Sequence, residues 1–85
     1  MAVFAIVSVR NDLQLDEIIT RVYWKESLRV SPNHWLVIDK GTSREVSERV
    51  GVHAGQGEAI IYNVSSYWGR APNSVWEWLQ LHWNS

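Results

Sequence analysis

Cysteine is absent from this sequence, which removes both disulfide bridges and thiolate metal cages and leaves packing alone to hold the fold. No apolar run approaches the about 18 residues of a membrane-spanning helix, so no membrane partner is expected. Excess charge of either sign is also missing. Eight Lys and Arg stand against nine Asp and Glu for a net charge of -1, which provides no global attraction to a phosphate backbone. The first nine residues are apolar but lack the basic leader, longer apolar stretch and cleavage site of a secretory signal, and a cytoplasmic setting is the expectation. Only two prolines and five glycines punctuate the 85 residues.

Tryptophan, by contrast, is abundant, with six residues beside three tyrosines and one phenylalanine. A chain this short buries a smaller fraction of its surface than a larger domain. A fully buried aromatic stabilises by about 1.5–3 kcal/mol, so indoles can supply the area that disulfides do not. The apolar fraction of 46% is that of a globular chain, and residues 1–85 are read as a single domain.

Val3 to Val9 is β-branched and aromatic, apolar at nearly every position and short, which predicts a central strand. Asn11 and Asp12 offer N-caps for a helix whose apolar stripe reads Leu15, Ile18, Ile19 and Val22, ending near Trp24. Residues 27–31 alternate as an extended segment with Leu28 and Val30 on one face. Pro32 and Asn33 make a turn, and Trp35 to Ile38 is a second strand apolar on both sides. Thr42-Ser43-Arg44-Glu45 matches a capping box opening a short helix with Val46 and Val50 inward and Gly51 as its left-handed stop. Ala59 to Val64 predicts a fourth strand. Residues 67–72 form an aromatic loop, and Pro72 and Asn73 start a last helix over 74–83 with Val75, Trp76, Leu79 and Trp83 on its stripe and Trp78 off it.

The order β-α-β-β-α-β-α predicts an α+β, ferredoxin-like fold with a four-stranded antiparallel sheet and an added C-terminal helix. In that topology the first and third strands are central, in agreement with their double-sided apolar character. Two helices cover one face, so the other face must meet the C-terminal helix, a second subunit, or both. A homodimer is therefore expected.

No catalytic constellation emerges. His34, His53 and His82 have no metal-pair spacing. Ser65 and Ser66 lack a nucleophile motif. Gly55-Gln56-Gly57 lacks the Lys and Ser/Thr of a phosphate loop, and no cofactor is expected. Two readings of the remaining residues stay open. Trp24, Trp68, Trp76 and Trp78 are candidates for a protein interface. Arg10, Arg29, Lys40 and Arg70 lie near strand ends and loops and, with aromatic rings between them, are candidates for nucleic-acid contacts.

Three blocks, Phe4-Ala-Ile-Val-Ser, His34-Trp-Leu-Val-Ile-Asp-Lys-Gly-Thr-Ser-Arg-Glu-Val and Tyr67-Trp-Gly-Arg-Ala-Pro-Asn-Ser-Val-Trp-Glu-Trp-Leu, cover a little over a third of the chain. On them the sequence resembles short bacterial proteins labelled SinR family, which look like distant ferredoxin-like kin of the CRISPR-adaptation ribonuclease-like proteins, VapD-type toxins and the GhoS antitoxin. The resemblance implies sheet-mediated dimers and a setting in toxin-antitoxin or CRISPR-adaptation nucleic-acid metabolism. In the nuclease members an aspartate at the end of the first strand holds a shared metal. The resemblance places Arg10 at that position, and a guanidinium has no lone pair for Mg²⁺. Asp12 is the carboxylate two residues on. The expected function is thus a non-enzymatic interaction domain that binds itself or another protein, with a nucleic-acid-binding or metal-dependent nuclease-like domain as the alternative.

Overall fold

The computed structural model describes residues 1–83. Its elements run β1 (Ala2–Ser8), α1 (Leu13–Tyr23), a single 3-10 turn (Trp24–Glu26), β2 (Ser27–Ser31), β3 (His34–Asp39), α2 (Ser43–Arg49), β4 (Ala59–Val64) and α3 (Asn73–His82). The sheet is antiparallel in the order β2-β3-β1-β4, which is the ferredoxin-like arrangement with a C-terminal helix. β1 and β3 occupy its middle.

Strand alternation sorts the core into two clusters, one on each side of the sheet. On the first side Phe4 and Ile6 of β1 and Trp35 and Val37 of β3 meet Leu15, Ile19 and Tyr23 of α1 and Val46 and Val50 around α2. Their sequence neighbours Val3, Ala5 and Leu36 point the other way, onto Val75 and Leu79 of α3. The C-terminal helix therefore answers part of the demand for cover on the second face.

The helix starts follow local chemistry. Asp12 Oδ1 accepts from the Leu15 amide at 2.9 Å and so caps α1. At α2 the Thr42 hydroxyl accepts from the Glu45 amide at 3.2 Å, and the Glu45 carboxylate accepts from the Thr42 amide at 3.0 Å, completing the capping box. Gly51, at φ 84°, follows α2 in the left-handed conformation that a Cβ disfavours. α3 begins after Pro72 without a side-chain cap.

Two features of the sequence reading need correction. The inward stripe of α1 is Leu15, Ile19 and Tyr23, while Val22 is exposed. The tyrosine ring is drawn in by a buried partner described below. Trp78, expected off the stripe of α3, packs with Trp76 and Trp83 against the second cluster. An indole is long enough to reach the sheet from the flank of a helix, so the apolar face is wider than its spacing implies.

Candidate functional site

Three places concentrate unusual side chains. The first is a cleft where the C-terminal ends of α1 and β3 meet α2. Tyr23, the last residue of α1, donates its hydroxyl to Asp39 Oδ2 at 2.8 Å. Arg49 Nη1 donates to both Asp39 oxygens at 3.0 and 2.9 Å, and the Gly41 amide donates to Oδ1 at 2.7 Å. The Asp39 carboxylate is thus buried but fully engaged, as a buried charge must be. Burial first, and then the hydrogen bond and charge of Asp39, push the Tyr23 hydroxyl far above its ordinary pKa, so it stays a neutral donor. These three side chains line a cavity of about 600 Å³ together with Met1, Val22, Trp24, Lys25, Glu26, Ile38 and Lys40.

Trp24 stands at the lip of this cleft with 72% of its surface exposed and with φ 42° and ψ -109°. Among the described residues no other non-glycine residue has positive φ. The Trp24 amide donates to the Thr20 carbonyl, and Trp24 is itself the first residue of the 3-10 turn.

The second place is the sheet face that α3 shares. The Tyr67–Ala71 loop folds over it, enclosing with Ala5, Val30, His34, Leu36, Val64, Val75, Trp76 and Leu79 a cavity of about 390 Å³. Tyr67 packs edge-on to Trp83 at 4.7 Å between ring centroids and tilted to Trp76 at 5.5 Å. Trp68 touches Trp76 at 6.4 Å yet is 97% exposed. Beyond the loop the same face carries Val7, Ile60 and Tyr62, all exposed, since Val7 pairs with Ile60 and Ala5 with Tyr62 across β1 and β4. Trp78 Nε1 is buried with no hydrogen-bond partner among the described residues.

His34 lies half-buried in this cavity, and desolvation lowers its pKa from the ordinary 6.5. The unfolded chain takes up the proton first, so its contribution to stability is full above about pH 6.5 and is lost as pH falls. The urea midpoint is expected to drop from about pH 7 to about pH 5, and to drop less in His34→Gln. An equal fall in both proteins contradicts this.

The third place is the end of β1. The buried Ser8 hydroxyl donates to the Arg10 carbonyl at 2.7 Å, while the Arg10 guanidinium pairs with Glu58 at 3.4 Å on the surface. Asp12 is committed to capping α1. No group of three His, Asp or Glu side chains suited to a metal ion occurs among the described residues.

The four basic candidates are not brought together. Arg10 is at one end of the central strands and Lys40 at the other, where β3 ends. Arg29 lies on edge strand β2, beside Asp16 at 3.7 Å and over the Trp35 ring at 6.0 Å. Arg70 lines the cavity under the aromatic loop. The four tryptophan candidates divide as well, since Trp68, Trp76 and Trp78 gather around α3 whereas Trp24 belongs to the other cleft.

Sequence reading missed the Tyr23–Asp39–Arg49 network. Its one visible signal was Asp39, an acid closing an otherwise apolar strand. It also missed the exposure of Val7 on central strand β1 and of Ile60 and Tyr62 on edge strand β4, which lie on the second face beyond the residues that α3 covers.

No protein-family model matches the chain, and no curated protein matches it. No helix among the described residues is long and apolar enough to cross a membrane.

Proposed function

We propose that the protein is an interaction domain that forms a homodimer through the β4 edge and the sheet face beside it. The observation that carries this reading is the exposed apolar row Val7, Ile60 and Tyr62 on the face that α3 leaves partly open. Contiguous apolar surface of this kind on a small domain marks an interaction site.

The edge supports a second copy as the occupant. β4 neighbours only β1, so its outer row of N–H and C=O groups has no strand partner. The strand carries no charge, no proline and no bulge, which are the usual devices that keep an edge from pairing. Antiparallel pairing of two β4 strands about Ile61 sets Ile60 opposite the partner's Tyr62, an aromatic with β-branched pair of the favourable type. A two-fold axis brings like residues together, and an uncharged patch tolerates that without repulsion.

Size exclusion with light scattering tests this directly. The expected result is twice the chain mass at micromolar concentration and a monomer of unchanged circular dichroism for Ile60→Lys/Tyr62→Lys. A compact monomer of the unaltered protein at high micromolar concentration removes the dimer.

A further inference from the structure

We propose that the cleft between α1, β3 and α2 binds a nucleoside phosphate, with its base stacked on the Trp24 indole and its phosphate held by Lys25 and Lys40. This site shares no lining residue with the cavity on the α3 face and does not depend on the dimer.

Size is the first support. The cavity of about 600 Å³ lies within the range of about 300–1,000 Å³ in which small-molecule sites fall. Its floor is rigid, because Asp39 ties together the end of α1, the end of β3 and α2 through Tyr23, Gly41 and Arg49.

Charge is the second. Four of the basic side chains are matched by acids, Arg10 with Glu58, Arg29 with Asp16, Arg44 with Glu48 and, within the cleft, Arg49 with Asp39. Lys25 and Lys40 have no ion-pair partner among the described residues, and both line this cleft. Asp39 is neutralised by Arg49, which leaves Glu26 as the opposing charge. A chain of net charge -1 thus turns a locally positive cleft to solvent, where an anion finds ammonium donors.

The indole is the third. A bulky residue at φ 42° and ψ -109° occupies backbone space that suits glycine, at a cost in strain. Burial does not offset that cost, since the ring is largely exposed. The Lys25 ammonium stands over one face of the ring, 5.6 Å from its centroid, so a cation accompanies the indole and a planar ligand stacks on the opposite face. A ligand that answers both has a planar ring and an anionic group, and a base stacks favourably on an exposed indole whatever its sequence. A base with its phosphate meets this description, whether free or within a single strand.

The test follows the six indole N–H resonances in a ¹H–¹⁵N spectrum, with Trp24 assigned through Trp24→Gly, a variant whose backbone suits the site. Adenosine monophosphate is expected to move the Trp24 signal saturably. Adenosine, lacking the phosphate, is expected to bind about tenfold more weakly, as is the monophosphate to Lys40→Gln. An oligoadenylate that binds more tightly than the mononucleotide assigns the site to single strands, and the reverse assigns it to free nucleotides. Failure of both probes to move Trp24, or equal binding by Trp24→Gly, overturns the proposal. Because Ile60→Lys/Tyr62→Lys leaves the cleft intact, it is expected to bind adenosine monophosphate as the unaltered chain does.

Discussion

Trp35→Ala is expected to lower the unfolding free energy by about 4 kcal/mol, the middle of the range for truncating a buried tryptophan. Trp35 sits on central strand β3 with 1% of its surface exposed. It fills the space between the sheet and α1, and its Nε1–H donates to Asp16 Oδ1 at 2.7 Å. Alanine removes the ring from the cluster that includes Phe4, Ile6, Leu15 and Val37 and leaves the Asp16 carboxylate with only the more distant Arg29 at 3.7 Å. Domains of this size have a total stability of about 4–13 kcal/mol, so the loss brings the variant near its unfolding threshold and lowers its melting temperature by about 15–30 °C. Trp68→Ala is the control. Its ring is 97% exposed, and the stability change is expected to stay within about 0.5 kcal/mol. Urea denaturation of the two variants measures both, and a Trp68→Ala loss as large as that of Trp35→Ala contradicts the division of roles.

The second large effect is expected at Asp39. Its alanine variant leaves the Tyr23 hydroxyl, the Arg49 guanidinium and the Gly41 amide without the acceptor they share. Removing one partner of a buried ion pair costs about 3–5 kcal/mol. The Arg49 side chain is 41% exposed and can rehydrate, so the expectation is about 3 kcal/mol, at the lower end. Arg49→Ala is expected to cost less, because Tyr23 and Gly41 still hold the carboxylate. Equal urea midpoints for Asp39→Ala and the unaltered protein contradict the assignment of this network as the tie between α1, β3 and α2. The surface pair Arg10–Glu58 is geometrically also an ion pair, but water screens both ends, and its removal carries no comparable penalty.

These two residues show how unevenly the molecule is written in its sequence. Trp35 was legible, because a short run apolar at every position reads as a central strand. The Asp39 network was not, because it joins residues 23, 39 and 49, and no local period links them. The same holds for the candidate sites. The aromatic loop and tail helix announced themselves, but the placement of Trp24 beside Lys40 depends on where α1 and β3 end relative to each other.

Element order, helix caps and the double-sided character of β1 and β3 follow from the sequence alone, since each rests on neighbours within a few residues: a hydroxyl three positions before a glutamate, apolar side chains at period 2 or 3.6. The abundance of tryptophan is likewise read from the sequence, but not what each tryptophan does. Tertiary structure decided that Trp35 is core, that Trp78 joins the second cluster, that Trp68 is bare and that Trp24 is held out on a strained backbone. The physical reason is that exposure is a property of what the rest of the chain leaves uncovered. An edge strand and a central strand can share a composition, and only the sheet order β2-β3-β1-β4 puts Ile60 and Tyr62 on an edge and Phe4 and Ile6 of β1 in the middle of the core.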